Sequence, residues 1–278
     1  MADKLVVYTT QGSAAIIRLN NPTKRNIMSK EMLDGMQAAF AKATADAAIR
    51  AIIITGTGPA FCAGMDLSEA RAALARLGNS DVGTVWTEAQ HGEQLLDQVY
   101  NCSKPTIAAL NGVAAGNGAG LASVCDIAIM AHNARIGYPE MRSGIQASFC
   151  VLHLMRVVGE RVARYLLLTG ELQDAQSALA MGLVNQVVEP EKLMDVALGL
   201  ADKIALNAPG AEGMSKRLLR RFSGQATGLQ MTDYTAVPHL DGEARQGLEA
   251  FFAHKRPPWA PEVPVATSGA QTSVRQRS

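Results

Sequence analysis

"NGVAAGNGAGLASVCDIAIM", residues 111–130, is the stretch on which the fold turns. It carries Gly116, Gly118 and Gly120 at alternate positions, between the strand-like runs "TIAAL" and "DIAIM". Three readings fit a loop of this composition. As a dinucleotide fingerprint it is a loose match: the spacing is G-x-G-x-G instead of G-x-G-x-x-G, although Glu140 lies near the distance of a ribose-binding acid. The strand "DIAIM" also begins too soon for a normal crossover helix. As a packing device, the glycines let a helix approach a strand where a side chain would clash. As an anion site, the loop would turn free backbone N–H groups toward negative charge at a helix N-terminus.

A second loop of the same kind shifts the balance between these readings. "GTGPAFCAGMDLSEA", residues 56–70, also follows a strand-like run, "RAIIIT", and also leads into a helical pattern. Two strand, glycine-loop and helix units can bring two backbone donors to one point, which is the composition of an oxyanion hole.

Around these loops the pattern is α/β. "LVVY" and "AAIIRL" predict an N-terminal hairpin across "TTQGS". Ser29 is placed to cap a helix whose Met32, Leu33, Met36, Ala39, Phe40 and Ala43 fall at three- and four-residue spacing. "LVNQVV" adds a strand, and "TEAQHGEQLLDQVY" and "VARYLLL" add helices, an alternation that favours a largely parallel sheet. After about residue 190 the texture becomes helical, and the Pro-, Ser-, Thr- and Gln-rich end reads as a disordered tail.

The whole-chain quantities exclude several classes. The 278 residues are 48% hydrophobic and 18% charged with a formal net charge of +1, enough for one sizeable core and without the field of a dedicated nucleic-acid binder. The four cysteines (62, 102, 125, 150) form no CxxC pair, and the five histidines show no metal-ligand spacing. With neither a signal-like start nor an apolar run long enough to span a bilayer, the expectation is a soluble, cytoplasmic protein with no membrane partner.

The two loops, together with "RLNNPTKRNIMS" (18–29), "ARIGYPEMRSGI" (134–145), "LLLTGELQDAQSALAMGLVNQVV" (166–188) and "EAFFAHKRPPW" (249–259), resemble the crotonase superfamily, the enoyl-CoA hydratase/isomerase group. The similarity runs from about residue 5 to about residue 259. It implies an α/β fold, a crotonase-like spiral of ββα units with a C-terminal helical segment. The expected divisions are a core over 1–200, a helical oligomerisation segment over 201–259 and the tail over 260–278. It also implies a homotrimer or dimer of trimers acting on an acyl-CoA substrate. Coenzyme A would be part of that substrate, and no metal, nicotinamide or flavin is required.

Residue by residue, the resemblance puts the thioester oxygen between the N–H groups of Met65 and Asn117. It places Ala63, Gly64, Asp66, Leu67, Gly116 and Gly120 around the substrate, with Asp66 better suited to capping a helix than to acid/base work. Lys24 and Arg25 match the stretch near the CoA adenine and phosphates, and Lys255 and Arg256 a pair that reaches CoA from a neighbouring subunit. Asn117 departs from a common glycine, and Asn tolerates left-handed backbone angles. Of the two glutamates usual in hydratases, the first matches Gly120 and the second Glu140. Glu140 is therefore the expected single acid/base, for double-bond isomerisation or single-glutamate hydration. The space at Gly120 is expected to hold water or a bulkier acyl group. The other reading is a crotonase-fold CoA-binding, RNA-binding or scaffold protein of weak activity. Cys62 and Cys125 read as packing residues, His91 and His132 as histidines without a visible partner, and "GERVARYLLLTGE" as core.

Overall fold

A computed structural model describes residues 4–66, 68–69, 82–143, 148–222, 246, 250, 253–256 and 258–259. Its frame is a six-stranded sheet in the order β1-β2-β3-β5-β7-β10. β1 (Val6–Gln11) and β2 (Ala14–Leu19) form the expected antiparallel hairpin. β3 (Ala51–Gly56), β5 (Thr106–Leu110), β7 (Ile127–Ala131) and β10 (Gln186–Val188) follow in parallel. Every residue of β3 and β5 is buried, which explains their unbroken apolar runs: a strand covered on both faces has no polar alternation to show.

A second sheet is built from strands too short to be legible in the sequence: β4 (Ala60–Cys62), β6 (Val113–Ala115), β8 (Arg135–Gly137) and β9 (Gln173–Asp174), in the order β4-β6-β8-β9. The chain passes repeatedly from one sheet to the other. β3 leads through residues 57–59 into β4, β5 leads through Asn111 and Gly112 into β6, and β6 runs into a helix that returns to β7.

α1 (Lys30–Ala45) buries the six residues that its spacing predicts, and the Ser29 side chain accepts the Met32 N–H at 3.3 Å as its cap. α2 (Val82–Tyr100) buries Leu95, Leu96 and Val99, and α3 (Asn117–Val124) is almost wholly enclosed. α4 (Ser148–Thr169) is broken at Gly159, where φ is 74°. Only part of the expected core in this region is core: Ala163 and Leu166 are buried, whereas Tyr165 and Leu168 are exposed, because the helix packs one side on α3 and α2 and leaves the other uncovered. α5 (Ala175–Ala180) follows, and α6 (Leu193–Ile204) packs on the six-stranded sheet and runs across residue 200. α7 (Pro209–Phe222) is pinned where Lys216 donates to Asp126 and, at 2.8 Å, to the Lys104 carbonyl. The expected tail over 260–278 lies outside the described residues. Among those described, no helix is long and apolar enough to cross a membrane.

The passage between sheets is held by side-chain amides. Asn26, fully buried at φ 55°, donates through Nδ2 to the carbonyls of Thr57 (3.0 Å) and Ala60 (2.8 Å) and accepts the Asn21 N–H at 2.7 Å. Asn111 accepts the Gly56 N–H at 2.9 Å and donates to the Gly58 carbonyl at 2.9 Å. Replacing Asn26 with alanine removes these bonds, leaves the Ala60 carbonyl with the Asn111 amide alone, and forces a residue without Asn's local compensation into the left-handed region. Asn26→Ala is expected to lower the unfolding free energy by about 3 kcal/mol or more, read from the urea midpoint at unchanged slope.

Candidate active site at the meeting of two glycine loops

The loop after β4 and the start of α3 meet backbone to backbone. A Cβ built at Gly118 would lie on the Cys62 carbonyl, and one at Gly64 (φ 95°) would lie 2.7 Å from the Ala115 carbonyl oxygen and 3.5 Å from the Asn117 nitrogen. Glycine is required at both places, by space at Gly118 and by space and backbone angle at Gly64. The Met28 N–H donates to the Gly64 carbonyl at 2.8 Å, and Met28 and Met65 form a parallel bridge. In that pairing Met65's own N–H takes no part and is turned away from Met28. Asn117 opens α3, so its N–H is one of the helix's unpaired first-turn donors. The structure thus brings Gly64, Met65, Gly116 and Asn117 together.

The positive backbone angle lies on Gly116, the helix cap, at φ 56° and ψ −125°, so the tolerance of Asn for such angles is not called on at position 117. Asn117 itself is helical and half-buried. Its Nδ2 lies 4.0 Å from the place a Cβ would take at Gly92, so the absence of a side chain on that part of α2 leaves room for the amide.

Glu140 stands on a 3-10 turn (Pro139–Ser143) directly after β8 and Tyr138. Its Oε1 would be 2.8 Å from a Cβ on Gly116, so the carboxyl rests against the bare α-carbon. Both carboxyl oxygens are buried and have no hydrogen-bond partner among the described residues. Burial raises its pKa above the ordinary glutamate value, because the ionised form has lost water and its own backbone N–H offsets that loss only in part. Tyr138 beneath it is fully buried, with its hydroxyl 2.7 Å from Ser123 Oγ.

Gly120 corrects an expectation. The space over it is not open: a Cβ there would overlap Cys150 Sγ and lie 3.7 Å from Leu96 Cδ1. A glycine inside a closely packed helix leaves a hollow, and the enclosed thiol fills it.

The remaining candidates divide. Asp66 is buried and accepts the N–H groups of Ser68 (2.9 Å) and Glu69 (3.4 Å). Hydrogen bonding from Ser68 lowers its pKa, as suits a helix cap. The Ala63 N–H donates to the Arg25 carbonyl at 3.0 Å, which ties the exposed Lys24 and Arg25 to the same loop. Leu67 lies outside the described residues. Lys255 is exposed, and its N–H donates to the Ala250 carbonyl at 2.8 Å, away from the cluster. Cys62 is buried, with its thiol pushed up to about 12 by desolvation.

The two histidines do have partners: His91 Nε2 lies 3.0 Å from Asp34 Oδ1 and His132 Nδ1 3.1 Å from Glu189 Oε2. Asn26 and Cys150 are the contributors that the sequence reading missed. The available signal for Asn26 was an amide in a turn-like run, and for Cys150 a mid-helix glycine whose hollow needed a filler.

Comparison with known proteins identifies the family of the chain. The model of the enoyl-CoA hydratase/isomerase family matches residues 9–262. The short-chain-enoyl-CoA hydratase of Clostridium acetobutylicum is 36% identical over 78% of this chain and 81% of its own. The crotonyl-CoA hydratase of Syntrophomonas wolfei is 33% identical over 92% and 98%. The crystal structure of an enoyl-CoA hydratase from Bacillus anthracis superposes with a TM-score of 0.82 at 31% identity, over 93% of this chain and all of that one. With its spiral of paired sheets, its two glycine loops and a match running almost end to end, the chain is an enzyme that belongs to the enoyl-CoA hydratase/isomerase family.

Proposed function

We propose that the protein moves a proton on an enoyl-CoA thioester, with Glu140 as its single acid/base and the N–H groups of Met65 and Asn117 as an oxyanion hole. The observation that carries this reading is the buried, unpartnered Glu140 carboxyl resting on Gly116, next to the first turn of α3. Removing a proton beside the thioester carbonyl places negative charge on its oxygen. Two fixed N–H donors stabilise that enolate more than the neutral carbonyl, each by about 3 kcal/mol. A desolvated carboxylate is a strong base for its position, and once protonated it is a ready acid.

On a 3-enoyl-CoA, Glu140 takes a proton from C2 and returns it to C4, giving the 2-enoyl isomer with no atom gained or lost. The filled hollow at Gly120 favours this migration, since no second carboxylate is there to activate water. Hydration by Glu140 alone is the second reading, and the hydratase names of the relatives favour it. There a water adds to C3 while Glu140 accepts its proton and delivers one to C2.

Lys24 and Arg25 take the CoA phosphates and adenine in this scheme, and Lys255 and Arg256 those of a neighbouring subunit. CoA enters as part of the substrate, and the proton transfer calls for no further cofactor. Exposed Leu152, Met155, Tyr165 and Leu168 on α4 support self-association as a trimer or dimer of trimers.

Incubation with crotonyl-CoA and, separately, with a 3-enoyl-CoA, followed by product masses, distinguishes the two reactions. Glu140→Gln is expected to reduce either turnover by at least about 100-fold; full retention would remove Glu140 from the chemistry. The same variant should melt at a higher temperature at pH 7. A carboxyl whose pKa is raised on folding holds its proton more tightly folded than unfolded. Its ionisation therefore costs stability, with no cost below the ordinary glutamate value and the full cost above the raised one. Glutamine never ionises and escapes the cost.

Base activity should fall as pH drops through a pKa above that of a free glutamate, and the acidic limb of kcat/KM reads it. Gly64→Ala, which drives a methyl against the Ala115 carbonyl, is expected to lower kcat by about 100-fold or more by displacing the Met65 donor.

A further inference from the structure

Gly120 and Cys150 occupy each other's space. The Cys150 side chain is fully buried, and its Sγ stands where Gly120 would carry a Cβ and lies 3.8 Å from the Gly116 carbonyl oxygen. Glu140 Oε1 rests against the α-carbon of the same Gly116. One glycine residue therefore separates the thiol from the carboxyl. Burial first, and the nearby Glu140 charge second, push the thiol up to about 12. At neutral pH it is an uncharged S–H that neither deprotonates water nor attacks carbon.

Tyr138 and Cys150 are the titratable side chains raised by the Glu140 charge among the described residues. Arg142, on the Glu140 turn, packs instead against Gly170, and α2 contributes the apolar Leu96 over Gly120.

We propose that Cys150 is a reaction-specificity residue: by filling the hollow over Gly120, it excludes from the Glu140 pocket both a second proton-transfer group and the water such a group would hold. The inference rests on the reading of Glu140 as the acid/base. Sulfur suits the task because it has the bulk to displace a water and only weak hydrogen-bonding capacity with which to recruit one. With the thiol gone, the hollow is lined by the Gly116 carbonyl and lies near the Glu140 carboxyl, two polar partners that meet the minimum for an ordered water. Such a water supplies the hydroxyl and proton that add across C2 and C3, with Glu140 relaying the proton, so hydration becomes accessible without any further reactant.

The test compares wild type, Cys150→Ala and Cys150→Ser on a 3-enoyl-CoA and on crotonyl-CoA, reading product masses and the acidic limb of kcat/KM. Cys150→Ala is expected to raise the hydrated fraction severalfold and to move the limb down by about one pH unit, as water solvates the carboxylate. Cys150→Ser keeps the volume filled but supplies a hydroxyl donor, so the limb should move while the hydrated fraction stays low. An unchanged product ratio and limb in a folded Cys150→Ala overturns the proposal, as does a wild type that already hydrates as readily as that variant.

Should Cys150→Ala fail to fold, Gly120→Ala provides the reading. Alone it should lose melting temperature, and combined with Cys150→Ala it should recover it, with the wild-type product ratio. Tolerance of Gly120→Ala with the thiol in place, or no recovery in the pair, overturns the proposal. Failure here is separable from failure of the acid/base reading: the latter appears as retained turnover in Glu140→Gln, the former as unaltered Cys150 variants beside a dead Glu140→Gln.

Discussion

The protein is organised around the contact of two bare backbones, Gly118 on the Cys62 carbonyl and Gly64 on the Ala115 carbonyl. No side chain fits between them, so the first turn of α3 and the loop leaving β4 are fixed to within the tolerance of direct van der Waals contact. The second sheet brings these segments to each other, since β4 and β6 are neighbours in it and β8, which leads to Glu140, is next in order. A small sheet of very short strands thus does for the site what the large sheet does for the core.

That arrangement leaves a buried carboxyl without a hydrogen-bond partner among the described residues, beside polar backbone. Most buried carboxyls are paired, and one that is not destabilises the fold in proportion to its ionisation. The surrounding structure compensates with rigid packing: Tyr138 and Ser123 bonded to each other beneath the carboxyl, and Cys150 closing the far side of Gly116. Stability and reactivity are opposed at Glu140, as expected where a group is kept for chemistry.

The legible part of the molecule was that with internal repetition. α1 declared its six buried positions through their spacing, and β3, β5 and β7 declared themselves as apolar runs. The strands of the second sheet are two or three residues long and contain no period to read, so the architecture around the site came only through the family resemblance. Asn26 and Cys150 were missed for a related reason. The carbonyls to which Asn26 donates lie 31 to 35 residues away, and the hollow that Cys150 fills is made by a residue thirty positions earlier, so neither role is legible from neighbouring sequence. At Asn117 the tolerance of Asn for unusual backbone angles is not needed, because the positive φ falls on Gly116, which bears it without strain.

Arg50, at the entry to β3, donates to the carbonyls of Ala205 and Trp259 and pairs with Glu212 at 3.2 Å. These partners lie 155 or more residues away. The first strands are therefore synthesised before the groups that pair with this guanidinium exist in the chain. A chain stopped short of residue 205 lacks every one of these acceptors. The last helices therefore complete the pairing of a cation that stands at the start of β3, an interior strand of the six-stranded sheet.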